Sequence, residues 1–183
     1  IFLKFSQNFK KPNNRLKQIK SDYILATIHR QENTDDKEKL KSIFSNLDKI
    51  NNKLKIIMPL HPRTEKKIKE FNINTNIEIV PPMGYVSMLS LLNHAEIVIT
   101  DSGGLQKEAY FCKKKCIIIR DETEWTELID SGVNILSDHQ KLHEVFDETM
   151  KKKCDFSLNH YGKGNAGELI INSILDFFKN FER

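Results

Sequence analysis

The feature that most restricts how this chain can fold is a regular alternation along its length. Six short apolar runs rich in β-branched residues are separated by stretches with helical periodicity. The runs are Tyr23 to Ile28, Leu54 to Met58, Asn76 to Val80, Glu96 to Thr100, Cys116 to Ile119 and Val133 to Leu136. A strand that is apolar on both faces must be covered on both faces. Helices that cross between successive parallel strands provide that cover. The expected fold is therefore α/β, a Rossmann-like doubly wound parallel sheet. Helices are expected at Glu65 to Phe71, Val86 to Asn93, Leu105 to Tyr110, Thr126 to Asp130, Lys141 to Lys152 and Gly167 to Phe178. Another is expected to open at Thr34-Asp35-Asp36 and to bury Leu40, Ile43, Phe44, Leu47 and Ile50. Ile1 to Phe9 reads as the tail of a helix, and Arg15 to Lys20 as one further turn.

In open parallel sheets, ligands bind beyond the carboxyl ends of the strands. His29, His61, Met83, Ser102 and Arg120 each follow a predicted strand, so their side chains are expected along one edge. The most informative stretch is Thr100-Asp101-Ser102-Gly103-Gly104-Leu105-Gln106-Lys107-Glu108. It reads as a strand, a glycine turn and a helix start. The first amides of a helix lack intrahelical acceptors and sit at the positive end of its dipole. Glycines let an anion approach them, so the turn is a candidate phosphate seat. Glu108, one turn further on, suits the hydroxyls of a sugar. The other reading is a Ser102 cap followed by two packing glycines, and these residues by themselves do not separate the two.

His29 and Arg30 suit a diphosphate or a leaving oxygen, or else simply a polar helix-approach loop. Met83 and Met88 flank Gly84-Tyr85, where a pyrimidine base has room to bind, or Met88 packs in the core. Glu122-Thr123-Glu124-Trp125, after the fifth apolar run, either caps a helix or touches a ligand. The net charge of +4 comes from scattered lysines, which help an anionic ligand but are no nucleic-acid footprint. No run reaches the ~18 apolar residues that cross a membrane. The three cysteines, Cys112, Cys116 and Cys154, suggest reduced thiols and a cytoplasmic setting. Cys112 and Cys116 lack zinc-knuckle spacing, and the His139/His143 pair lacks the glutamate of a metalloprotease helix. No metal site is expected. No G-x-G-x-x-G follows the first strand, which argues against a nicotinamide cofactor.

Taken together, several strings resemble the bacterial UDP-N-acetylglucosamine 2-epimerases. They are Thr27-Ile28-His29-Arg30-Gln31-Glu32-Asn33, His61-Pro62-Arg63-Thr64, Leu92-Asn93-His94-Ala95, Thr100 to Ala109, Arg120-Asp121-Glu122-Thr123-Glu124 and Tyr161-Gly162-Lys163-Gly164. The resemblance implies the C-terminal half of a two-domain enzyme of the GT-B type. Residues 1–20 would be an interdomain segment and residues 21–183 the UDP-binding domain. The family's catalytic carboxylates would lie on an N-terminal domain outside this chain, and the whole enzyme would be a homodimer. Its chemistry is UDP elimination and re-addition without a metal or other cofactor. The resemblance places the diphosphate on Ser102, Gly103 and Gly104, the ribose on Glu108 and uracil by Met83 and Met88. His29 becomes the catalytic candidate near the phosphates and sugar. Arg30 and His61 resemble residues that bind a second, regulatory UDP-sugar in some members. Many members have Thr-Glu-Arg-Pro-Glu where this chain has Thr123-Glu124-Trp125-Thr126-Glu127, so one phosphate-binding arginine is lost. Trp125 also resembles relatives that act on other UDP-2-acetamido sugars. The alternatives are an epimerase or hydrolase of such a sugar, a GT-B glycosyltransferase and a non-catalytic UDP-sensing module.

Overall fold

The computed structural model describes residues 22–162 and 164–181. The expected interdomain segment and its helical pieces lie outside the described residues, as does Lys163. Within them the alternation becomes β1 (Ile24–Thr27), α1 (Gln31–Thr34), α2 (Lys37–Asn51), β2 (Ile56–Pro59), α3 (Pro62–Glu70) and β3 (Glu78–Val80). It continues through α4 (Tyr85–His94), β4 (Ile97–Thr100), α5 (Gly103–Phe111), β5 (Lys115–Ile118), α6 (Thr126–Asp130), β6 (Asn134–Leu136), α7 (Leu142–Lys151) and α8 (Ala166–Phe181). The six strands form one sheet in the order β3-β2-β1-β4-β5-β6, and every pairing is parallel. This is the doubly wound topology expected from the sequence. The chain winds outward in one direction from β1 and in the other from β4. The switch point, where such sheets bind ligands, therefore lies between β1 and β4.

Side chains alternate between the two faces of a strand. One face gathers Ile24, Ala26, Ile56, Met58, Ile97 and Ile99 under Leu40, Phe44 and Leu47 of α2 and Phe146 of α7. The other gathers Leu25, Ile57, Val98, Cys116 and Ile118 under Leu89 and Leu92 of α4 and Ala109 of α5. A third, smaller cluster packs Tyr110, Leu128 and Val133 against Trp125, Phe156 and Tyr161.

Two helix starts differ from expectation. α2 begins at Lys37, and Asp36 caps it by accepting from the Lys39 amide at 2.9 Å. Thr34 instead closes the short α1 turn, its hydroxyl donating to the Arg30 carbonyl at 2.9 Å. α3 begins three residues early, at Pro62, because His61 caps it through Nδ1, 3.2 Å from the Arg63 amide. Proline at the first helical position has no amide to leave unpaired.

The apolar side chains of α8 face outward, and Ile170, Ile171, Ile174, Phe177 and Phe178 are each more than half or about half exposed. Among the described residues no helix is long and apolar enough to cross a membrane.

Ile99 sits fully buried at the sheet centre. Ile99→Ala should lower unfolding free energy by about 3 kcal/mol, read as a drop in the urea midpoint at unchanged slope.

Candidate functional site

The site is built on a buried carboxylate. Asp101 follows β4 and is fully shielded from solvent. A charge taken out of water has to be matched by hydrogen bonds. Asp101 accepts from the His29 amide at 3.0 and 3.1 Å, from the Arg30 amide at 2.9 Å and from Asn33 Nδ2 at 3.1 Å. Asn33 Nδ2 also donates to the Ile119 carbonyl at 3.0 Å. One acid thus ties together the chain segments that leave β1, β4 and β5. Nearby, the Thr27 and Thr100 hydroxyls meet at 2.6 Å across the β1–β4 seam. The Thr64 hydroxyl donates to the Ile28 carbonyl.

The rim beyond this knot is the start of α5. Ser102 is its N-cap, with Oγ accepting from the Leu105 amide at 3.4 Å. The Ser102 amide donates to Thr100 Oγ1 at 3.0 Å. The two glycines that follow have different surroundings. A Cβ built on Gly104 would meet nothing within 4 Å, so no protein group packs there. A Cβ on Gly103 would overlap the Glu124 carboxylate, with an Arg30 guanidinium nitrogen 3.8 Å away. The packing reading therefore fails at Gly104 and describes Gly103.

Gly104 opens on a cavity of about 330 Å³ at the switch point. His29, Met83, Met88, Ser102 and Glu108 line it with Gly104, so six of the expected site residues converge there. His61 also lines it, and its ring centroid lies 5.3 Å from that of His29. The His29 ring reaches back to 4.0 Å from Asp101. The two methionines pack, partly buried, against the core and border the cavity at once. Arg30 and Gly103 do not line the cavity. They lie together on the other side of the α5 start, beside Glu124.

Tyr85 is the first residue of α4. It lines the cavity, and its hydroxyl bonds to Glu108. Burial pushes the Tyr85 phenol up to about 12, and Glu108 adds to that shift. Burial also raises the Glu108 carboxyl above its ordinary range, while the Tyr85 hydrogen bond pulls the other way. Nothing in the sequence spacing pairs these two, because they come from different helices.

On the far side of α5, Glu124 neither caps α6 nor faces the cavity. Its carboxylate accepts from Arg120 at 2.6 Å. Hydrogen bonds from its own backbone amide and from Arg120, with the further pull of Arg30, hold it below the ordinary carboxylate range. Trp125 Nε1 donates to the Gly103 carbonyl at 2.9 Å. The Lys107 ammonium lies 4.2 Å from the Trp125 ring centroid and 4.3 Å from that of Tyr161. Trp125 therefore anchors the loop to α5.

Among the described residues no three His, Cys, Asp or Glu side chains are placed to hold a metal. His139 precedes α7 and its carbonyl accepts from Asn46 at 3.0 Å, while His143 pairs with Asp147 at 3.9 Å.

The family model described as UDP-N-acetylglucosamine 2-epimerase matches residues 2–175. The UDP-N-acetylglucosamine 2-epimerase of Methanocaldococcus jannaschii is 41% identical over 163 residues, which are 84% of this chain and 44% of that protein. The UDP-2,3-diacetamido-2,3-dideoxy-D-glucuronate 2-epimerase of Pseudomonas aeruginosa is 46% identical over 115 residues, 62% of this chain and 32% of that one. The crystal structure of the M. jannaschii enzyme in complex with UDP-GlcNAc and UDP superposes with a TM-score of 0.84 at 38% identity, covering 96% of this chain and 52% of that one. The chain thus spans about half the length of these relatives or less.

Asp101→Ala leaves two amides and an amide side chain without their buried acceptor. Unfolding free energy should fall by about 3 kcal/mol or more, measured by chemical denaturation. Glu108 gives a pH signature of the opposite kind. Its folded carboxyl lies above the ordinary 4.5, so ionising it costs folding free energy as the pH rises from 4.5 through the raised value. Glu108→Gln has no such cost. Relative to the parent it should gain stability across that window and keep the gain above it, read from urea midpoints at successive pH values.

Proposed function

This chain belongs to the UDP-N-acetylglucosamine 2-epimerase family, and we propose that it is the nucleotide-binding half of an enzyme that interconverts UDP-GlcNAc and UDP-ManNAc. The observation that carries this reading is the convergence of Ser102, Gly104, Glu108 and His29 on one cavity at the switch point of the sheet. The α5 amides suit a diphosphate. Glu108, facing the same cavity, accepts hydrogen bonds from ribose hydroxyls in exchange for that of Tyr85. Met83 and Met88 offer an apolar wall to uracil.

In the proposed reaction a carboxylate base removes the proton at sugar C2. The C2–H electron pair becomes the C1=C2 double bond, and the C1–O bond breaks with its pair going to UDP. On return, a UDP oxygen attacks C1 and the double-bond pair takes a proton at C2 from the opposite face. This chain's part is to hold UDP through both halves, so that the leaving group becomes the nucleophile again without escaping. The His29 ring, which borders the cavity and comes within 4.0 Å of Asp101, would steady charge on the departing phosphate. The base belongs to a second domain of the whole enzyme, which we take to be a cytoplasmic homodimer supplying UDP-ManNAc for surface polysaccharide.

A second reading is favoured by the 46% identity to the P. aeruginosa relative. It keeps the same half-site and chemistry but takes a UDP-2,3-diacetamido sugar acid as substrate.

Calorimetric titration of the 183-residue chain with UDP tests the common ground. Binding is expected, and Glu108→Ala should weaken it about tenfold, the loss of roughly one good hydrogen-bonded contact. UDP that perturbs only amide signals away from Ser102 and Gly104 would overturn the assignment. Incubating the whole enzyme in deuterated water with each sugar in turn separates the two readings by which substrate gains deuterium at C2.

A further inference from the structure

The first turn of α5 has two sides, and the second is already occupied by an anion. Glu124 lies against Gly103, where only the absence of a side chain lets its carboxylate fit. It accepts from Arg120 at 2.6 Å. Arg30 completes the surroundings, with a guanidinium nitrogen 3.8 Å from the position a Gly103 Cβ would take. The Arg120 side chain is only 10% exposed, so its charge is fixed in place, whereas Glu124 is 44% exposed. Glu32 lies 3.7 Å from Arg120 and 3.9 Å from Arg30 and would remain as their partner if Glu124 left. The Glu124 backbone is meanwhile held firmly by its neighbours. Thr123 donates to Gln106 Oε1 at 2.7 Å, and Trp125 Nε1 to the Gly103 carbonyl at 2.9 Å.

Two guanidinium groups and the amide end of a helix are the surroundings a diphosphate seeks. A carboxylate is the smaller anion of the same sign, and its side chain can rotate outward while its backbone stays fixed. We propose that the Glu124 carboxylate is a built-in competitor of the diphosphate: it occupies the Arg30–Arg120 side of the α5 seat and swings out when a nucleotide diphosphate arrives. This inference rests on reading the α5 start as the diphosphate seat. It adds Arg120 to that seat, as a charge inside the strand-five loop where Trp125 supplies none. It also gives Gly103 a purpose separate from that of Gly104. Gly103 leaves room for the competing carboxylate, and Gly104 leaves room for the ligand.

The test compares UDP with uridine in the 183-residue chain and in two variants, Glu124→Ala and Glu124→Gln, with folding checked by thermal melts. A competitor of the diphosphate acts on UDP and leaves uridine alone. The ratio of UDP to uridine affinity should therefore rise about tenfold in Glu124→Ala and in the same direction in Glu124→Gln, a size in keeping with one close like-charge contact removed. The subsequent loss of Arg120, in Glu124→Ala/Arg120→Met, should cancel that gain. An unchanged or lower ratio in Glu124→Ala, while Glu108→Ala still weakens UDP, would overturn the competitor and leave the seat standing. UDP bound no better than uridine by the parent and by both variants would overturn the seat itself.

Discussion

The buried Asp101 carboxylate is the interaction on which the rest of the site depends. A parallel sheet delivers its strand ends to one edge but does not fix the loops that leave them. Here one charge, shielded from water, needs several donors at once, and the two amides after β1 and the Asn33 side chain supply them. The need runs in both directions. The amides of His29 and Arg30 lie just ahead of a single turn of helix and have no intrahelical acceptor of their own. Because Asn33 also reaches the Ile119 carbonyl, the knot spans three neighbouring strand ends. The cavity floor is therefore stiff, and the His29 ring is carried on a backbone held at both ends.

Against that floor, α5 works as a divider. Its cap, Ser102, is bonded through its amide to Thr100 and through its hydroxyl to Leu105, which fixes the direction in which the helix leaves the sheet. One side of its first turn meets a mostly apolar cavity with Glu108 and Tyr85. The other meets a dense group of charges, Arg30, Arg120, Glu32 and Glu124. Adjacent glycines serve the two sides differently, since neighbouring residues at a helix start point about a quarter-turn apart.

The loop after β5 is held to α5 from behind. Trp125 bonds to the Gly103 carbonyl, and Lys107 lies against the Trp125 and Tyr161 rings. The aromatic cluster around Tyr110 extends this to the segment before α8. A cation over two aromatic faces adds attraction without needing a buried counter-ion. So Trp125 is not idle. Its indole keeps the loop in register with the helix start, and the positive charge near that start comes from Arg30 and Arg120.

By itself, the sequence determined the α/β class, the order of elements and the fact that polar residues gather at one sheet edge. These follow from periodicity, which is a local property: two residues for a strand, nearly four for a helix. It also singled out the Ser102-Gly103-Gly104 turn and Glu108, because a cap, two glycines and a carboxylate one turn later lie close along the chain. The spacing could not say that Gly103 and Gly104 have different surroundings, that Tyr85 holds Glu108, or that the Glu124 carboxylate lies against Gly103 at the helix start. Nor could it show that Thr34 ends a turn instead of beginning a helix, since the pull on that turn comes from Asp101, far along the chain. Only the tertiary structure decided those points. They depend on which helices lie side by side across the sheet, and hydrogen bonds between distant segments leave no period in the sequence.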